Sequence, residues 1–155
     1  MSQWKSVVGA GLVGFLAVAV TTPGLAAQAP EDAAQPRAEA WLAQVDGGDY
    51  AGSWEQAARA LKAAVKQADW SQMVEAMRGP LGGVASRKLR SREYKESMPP
   101  TTRTIGGRVY TWSGGGPSVV LEYDTSFANK ASAVETVVAT RDADGAWRVS
   151  SYSVR

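Results

Sequence analysis

The sequence predicts an α+β domain with helices in its first half and an antiparallel β-sheet in its second half. Two patterns support this prediction. Apolar residues recur at helical spacing between residues 36 and 79. From residue 83 to residue 155 the spacing approaches two, and β-branched and aromatic residues become frequent. The turns between the expected strands are short, and strands joined by short turns can pair only in the antiparallel direction. We therefore expect a single domain over residues 36–155.

Three helical segments are expected before Pro80, which cannot continue a helical hydrogen-bond ladder. The first begins near Pro36 and carries one apolar stripe, formed by Ala38, Trp41, Leu42 and Val45. The second begins at Ser53, which has the spacing of a capping box, and extends to Val65. The third begins near Asp69. Each segment has one tryptophan on its apolar face, and we interpret these rings as core residues rather than as a ligand cage.

Five strands are expected in the second half, forming a simple meander. They cover residues 84–94, 103–112, 118–127, 133–141 and 146–154. The glycine pair at 106–107 interrupts the second of them. Residues 142–145 (Asp-Ala-Asp-Gly) predict a hairpin turn. They resemble the start of a calcium-binding loop, but the later oxygen ligands are missing, so we expect no metal there.

Composition excludes several kinds of chemistry. The 155 residues contain 17 Lys and Arg against 15 Asp and Glu, a net charge of +2, which does not indicate a nucleic-acid partner. The sequence has no Cys and no His, so it can form no disulfide, no cysteine nucleophile and no Ser-His-Asp relay. A zinc site is not expected either, and we expect no cofactor. Any acid–base chemistry must therefore use carboxylates, tyrosines and arginines.

The N-terminal segment has the order of a secretory signal peptide: a basic start at Lys5, an apolar run over residues 7–20, and small residues before the cleavage site. The run is shorter than the roughly 20 residues of a membrane-spanning helix. We expect cleavage after Ala26 or Ala27, so that residues 1–26 are removed and no membrane anchor remains. Residues 27–35 are expected to be a flexible lead-in, and the protein is expected in the periplasm or outside the cell.

The first expected strand is strongly basic. Its charged residues are Arg87, Lys88, Arg90, Arg92 and Lys95. Strict alternation places Lys88, Arg90 and Arg92 on one side, and Arg87 on the other side with Leu89. We interpret this strand as a charged sheet edge that discourages aggregation. The alternative is a groove for an anion or for a partner's carboxylates.

Five residues are candidates for ligand binding: Arg78, Arg87, Tyr123, Asp124 and Glu135. Tyr123, Asp124 and Glu135 could form an acid–base set, because Glu135 stands in an apolar run that would raise the pKa of its carboxyl group. The preferred interpretation is structural, with an inward-facing Glu135 neutralised by Arg78 or Arg87.

Several stretches occur in a fixed order between residues 38 and 155: VDGGDY (45–50), SWEQAA (53–58), RGPLG (78–82), YDTSFANK (123–130) and GAWRV (145–149). In this order they resemble a bacterial family known only as domain of unknown function 4019. The resemblance implies a secreted single domain and supplies no activity or catalytic residues. Helices followed by a curved meander also resemble the cone-shaped nuclear transport factor 2-like and cystatin-like folds. Such cones often enclose a pocket, but fold analogy does not assign function.

The expected function is a non-enzymatic periplasmic module that binds a small molecule or an envelope protein, with a homodimer formed through the sheet as a further expectation. One alternative is an isomerase- or hydratase-like enzyme that uses a carboxylate and a tyrosine. It requires Glu135 or Asp124 to line a closed pocket. The other alternative is a purely structural envelope protein, which requires a filled cone without a cavity.

Overall fold

The computed structural model of the chain describes residues 27–155, so the expected signal peptide lies outside the described residues. Four helices come first: α1 (Pro30–Asp46), α2 (Tyr50–Glu55), α3 (Arg59–Ala64) and α4 (Gln67–Arg78). A short 3-10 turn (Gly79–Leu81) leads to six strands in this range: β1 (Val84–Lys95), β2 (Thr101–Ile105), β3 (Arg108–Trp112), β4 (Ser118–Phe127), β5 (Lys130–Arg141) and β6 (Trp147–Val154). This order confirms the predicted α+β fold. Within this range, none of the helices combines the length and the apolar character needed to cross a membrane.

The strands form a curved four-stranded antiparallel sheet and a separate hairpin. The sheet order is β1-β4-β5-β6, so β1 pairs with β4 and the simple meander that we expected is wrong. Residues 103–112, expected as one strand, belong to the β2–β3 hairpin. Gly106 and Gly107, with φ of 57° and 77°, make its turn. Two successive residues with positive φ suit a tight hairpin, because their twist matches that of the flanking strands.

The core lies between one face of the sheet and the helices. On β4 the side chains of Val119, Leu121 and Tyr123 are buried in alternation, as the sequence predicts. Trp41 and Trp70 are buried among them, with ring centroids 6.0 Å apart. Their indole N–H groups donate to the backbone oxygen and the hydroxyl of Ser53, over 2.7 Å and 3.0 Å. The interpretation of these two rings as core residues is therefore confirmed.

Helices α1 and α4 begin earlier than the sequence suggests. α1 begins at Pro30, so residues 30–35 are helical and the expected flexible lead-in is wrong for them. Proline is well suited to a first helical turn, and the acidic Glu31 and Asp32 there favourably meet the positive end of the helix dipole. Ala34 is fully buried and extends the apolar stripe by one turn. α4 begins at Gln67 instead of near Asp69, and it ends before Pro80 as predicted.

The helix expected from Ser53 onward is split in two. α2 begins earlier, because the side chain of Asp49 accepts a hydrogen bond from the Gly52 N–H over 2.9 Å and caps the helix. The backbone of Ala58 is extended, and its N–H donates to the carbonyl of Val149 on β6 over 2.8 Å. This bond to the sheet replaces a helical bond and separates α2 from α3.

The basic strand β1 lies at one edge of the four-stranded sheet, as interpreted from the sequence. A bulge between Leu89 and Ser91 nevertheless changes its alternation. Because of the bulge, Arg92 pairs with the buried Leu121 and lies on the face that packs against α1, so its expected placement beside Lys88 is wrong. The guanidinium of Arg92 contacts the carboxylate of Asp32 on α1 at 2.5 Å.

Candidate functional site

Four charged side chains form an ionic network where the helices meet the sheet. Asp46 ends α1, Arg78 ends α4, Arg87 lies on β1 and Glu135 lies on β5. Arg78 contacts Asp46 at 2.9 Å and Glu135 at 3.2 Å, and Arg87 contacts the same two residues at 2.7 Å and 2.6 Å. The expected pairing of an inward Glu135 with an arginine is confirmed, and both expected arginines take part.

The carboxylate of Glu135 is fully buried and saturated with hydrogen-bond donors. Its Oε1 accepts from the Tyr152 hydroxyl at 2.5 Å, from Arg87 Nη2 at 3.1 Å and from Arg78 Nη1 at 3.2 Å. Its Oε2 accepts from Arg87 Nε at 2.6 Å and from Thr125 Oγ1 at 2.7 Å. A carboxylate offers about four lone-pair positions, so five donors leave none for a substrate. Glu135 is therefore placed to hold the fold together rather than to accept a proton from a bound molecule.

The network also sets the charge state of its members. Burial alone would raise the pKa of the Asp46 carboxyl, but hydrogen bonds from Arg87 and Arg78 outweigh burial and lower that pKa below its usual value. Burial would lower the pKa of Arg87, but hydrogen bonds to Asp46 and Glu135 raise it. Burial and the negative charge of Glu135 raise the pKa of the Tyr152 phenol. At neutral pH the network thus contains a charged Asp46 and a charged Arg87, and it is bonded to a neutral Tyr152.

The structure does not assemble the expected acid–base set of Tyr123, Asp124 and Glu135. Tyr123 is directly opposite Glu135 in the pairing of β4 with β5, yet its hydroxyl lies 3.5 Å from the carboxylate of Glu39 on α1. Burial and the nearby Glu39 raise the pKa of the Tyr123 phenol. Asp124 faces solvent with 61% of its side chain exposed, 3.5 Å from Arg90. The three side chains lie in different environments and therefore cannot act together on one substrate.

A second candidate site lies beside β6, the edge of the four-stranded sheet opposite β1. Two cavities open there under the β2–β3 hairpin, and we call them together the hairpin groove. The smaller cavity has a volume of about 90 Å³, and its walls include Thr101, Trp112, Thr140 and Ser150. The larger has a volume of about 510 Å³ and lies between α4, β2 and β6. In the described part of the chain, β2 and β6 share no backbone hydrogen bond, so a gap separates the two strands.

Arg103 contributes a cation to the hairpin groove, and a buried hydrogen-bond donor lies in its wall. Arg103 of β2 lines both cavities. Its guanidinium lies 5.8 Å from the centre of the Trp112 ring, and it forms no ion pair or side-chain hydrogen bond with the residues that the structure describes. The indole N–H of Trp112 is buried without an acceptor among those residues. The hydroxyls of Thr140 and Ser150, by contrast, bond to each other over 2.7 Å.

Residues 37–152 match a protein family described as "Protein of unknown function (DUF4019)". The chain belongs to this family. The match runs from α1 into β6 and therefore includes both the ionic network and the hairpin groove. No curated protein and no solved structure is similar enough to match the chain. The likeness to cone-shaped nuclear transport factor 2-like folds therefore stays a prediction, and function has to be argued from the site itself.

Sequence reasoning missed Arg103 and Trp112 because it placed both in a single strand and took the glycine pair as an interruption of that strand rather than as a turn. The signal that could have found them is the Gly106-Gly107 pair. Two glycines between alternating residues indicate a two-residue hairpin, which would have folded β3 back onto β2. In that hairpin Arg103 pairs with Tyr110, and Trp112 pairs with Thr101.

Proposed function

We propose that this protein is an exported, non-enzymatic module that binds a small molecule in the hairpin groove. The observation that carries the proposal is the unpaired cation of Arg103, which lines both cavities within the described part of the chain. The larger cavity, about 510 Å³, is within the usual size range of small-molecule sites. Such sites combine apolar walls with a few polar groups that orient the ligand, and the groove has this composition.

Binding is favoured over catalysis because the groove lacks a proton acceptor of suitable strength. The described residues that line the two cavities include no aspartate and no glutamate. The buried carboxylate of Glu135 lines neither cavity and has no free lone pair. The exposed Asp124 lies on β4, away from the groove. The enzyme alternative needs one of these two carboxylates in a pocket, so the geometry gives it no support. The structural alternative needs a filled fold, and the two cavities argue against it.

Export is proposed from the first 26 residues. The basic start, the apolar run over residues 7–20 and the small residues before Ala27 support a cleaved signal peptide. The absence of cysteine and histidine means that a domain in the periplasm would neither form disulfides nor bind zinc in the usual way. The proposal is therefore a periplasmic binding module that relies on its core for stability.

The test is a screen of chemically diverse metabolites by two-dimensional amide NMR, using the purified protein and a variant with a blocked groove. Met73→Trp would place a bulky ring in the larger cavity, which Met73 lines from α4. Gln72→Trp is the matched control, because Gln72 is the exposed neighbour of Met73 on α4 and lines neither cavity. We expect shifts that map to β2, β6 and α4, that disappear in the blocked variant and that persist in the control. The proposal is overturned if no compound shifts these residues, or if the shifts survive Met73→Trp.

A further inference from the structure

We infer that the hairpin groove takes an amphipathic monoanion, a molecule with an apolar body and a single carboxylate that Arg103 binds. This inference rests on the proposed function and names the chemical class of its ligand. The inference rests on where apolar and charged groups lie in the groove, because its two cavities have different lining residues.

The apolar body fits the larger cavity. One wall is the side of α4 that carries Trp70, Met73 and Met77, and the facing wall includes Ile105 of β2. Methionine side chains are flexible and polarisable, so they adapt to apolar ligands of varied shape. Moving apolar ligand surface from water into this cavity stabilises the complex in proportion to the area buried. An extended alkyl chain or a small ring system would therefore bind along α4.

The carboxylate fits Arg103. This residue borders both cavities, so an anionic group at their junction can reach its guanidinium while the apolar body remains against α4. A guanidinium presents two parallel N–H groups that match the two oxygens of a carboxylate. The neighbouring Arg108 on the same hairpin differs, because it already pairs with Asp69 at 2.6 Å. Arg103 is thus the arginine of this hairpin whose charge a ligand can neutralise.

Two further observations favour a monoanion over a cationic or a doubly charged ligand. The described lining residues of both cavities include no carboxylate that could attract a cation or neutralise Arg103. A group with two negative charges would need a second cation, and Arg103 is the only Lys or Arg among these lining residues.

The experiment compares three ligands that share a ten-carbon chain: decanoate, 1-decanol and decyltrimethylammonium. Affinities are measured by isothermal titration calorimetry below the concentrations at which the ligands aggregate. We expect decanoate to bind at least about tenfold more tightly than decanol, and the ammonium ligand to bind most weakly, since an added charge interaction of about 1.4 kcal/mol corresponds to a factor of ten.

Two arginine variants test whether Arg103 is the residue that binds the carboxylate. Arg103→Gln should reduce decanoate affinity to that of decanol and leave decanol binding unchanged. Arg90→Gln, an exposed arginine on β1 that lines neither cavity, is the matched control and should change neither. Unchanged decanol binding by Arg103→Gln also shows that this variant keeps the groove folded.

The outcomes separate the inference from the proposed function. If decanoate and decanol bind equally well, and Arg103→Gln changes neither affinity, the inference is overturned while the groove remains a small-molecule site. If none of the three ligands binds, the inference is also overturned, and the metabolite screen with Met73→Trp decides the proposed function independently. If decanoate is preferred but Arg103→Gln leaves that preference intact, the assignment of Arg103 is overturned.

Discussion

Arg87 on β1 reaches across β4 to Glu135 on β5, and its Nε donates a hydrogen bond of 2.6 Å to the carboxylate. The two residues are not on neighbouring strands. Thr125 of the intervening strand pairs with Arg87 and donates to the same carboxylate oxygen over 2.7 Å. Arg87 also bonds to Asp46 at the end of α1. The network therefore joins three strands to the helical layer, so its role in this fold is to set how the helices sit on the sheet.

Removing the charge of Glu135 should strongly destabilise the protein. In Glu135→Gln the buried Arg78 and the partly buried Arg87 lose a carboxylate partner, and an amide nitrogen replaces one acceptor oxygen. Breaking one side of a buried ion pair typically costs about 3–5 kcal/mol, and we expect a loss of free energy of unfolding in this range, measured by urea denaturation. Asp124→Asn removes one partner of an exposed pair and is the control, with an expected loss of less than about 1 kcal/mol. Equal losses in the two variants would contradict the assignment.

The contribution of Asp46 should depend on pH. Its pKa is lower in the folded protein than in the unfolded chain, where an aspartate has a pKa of about 3.9. Its stabilising effect is therefore complete above about pH 4 and is lost as the pH falls through the folded-state pKa. We expect the difference in free energy of unfolding between the wild type and Asp46→Asn to be constant from pH 7 to pH 5. It should then shrink toward pH 2. A difference that stays constant over the whole range would show that the carboxylate is not preferentially ionised in the fold.

Three glycines should respond differently to alanine. Gly114 has a φ of 78°, and an added Cβ would lie 2.5 Å from the carbonyl oxygen of Met98. Gly106 has a φ of 57° with open space around it, so alanine there adds only the left-handed backbone strain, about 1–2 kcal/mol. Gly83 lies outside the left-handed region and also has open space. We expect destabilisation in the order Gly114→Ala, Gly106→Ala, Gly83→Ala by thermal denaturation. A Gly114→Ala protein as stable as Gly83→Ala would refute the close approach of Gly114 to Met98.

Local patterns predicted those features that depend on neighbouring residues in sequence. The alternation of Val119, Leu121 and Tyr123 identified the inward face of β4, because side chains of a strand alternate between its faces. The hairpin turn at residues 142–145 also forms as predicted, with the Gly145 N–H donating to the carbonyl of Asp142. The carboxyl group of Glu135 within an apolar run indicated a buried charge that needs an arginine, and both proposed partners are present.

Features that depend on distant residues could not be predicted in this way. The break between α2 and α3 follows a hydrogen bond from Ala58 to Val149, which lies on the last strand. The side on which Arg92 lies follows the bulge in β1, and there it meets Asp32 of α1. In both cases a tertiary contact overrides a regular local pattern, and the neighbouring residues in sequence do not predict that contact.

The sequence by itself determined the α+β class and restricted any chemistry to carboxylates, tyrosines and arginines, because both conclusions need only periodicity and composition. Only the tertiary structure decided which of these groups are free to bind a ligand. Glu135 stood out in the sequence, yet five donors from four other residues occupy its carboxylate. Arg103 did not stand out, yet it lines two cavities without a counter-charge among the described lining residues. The physical reason is that the availability of a charged group depends on the partners that folding brings to it. Those partners come from elements far apart in the chain.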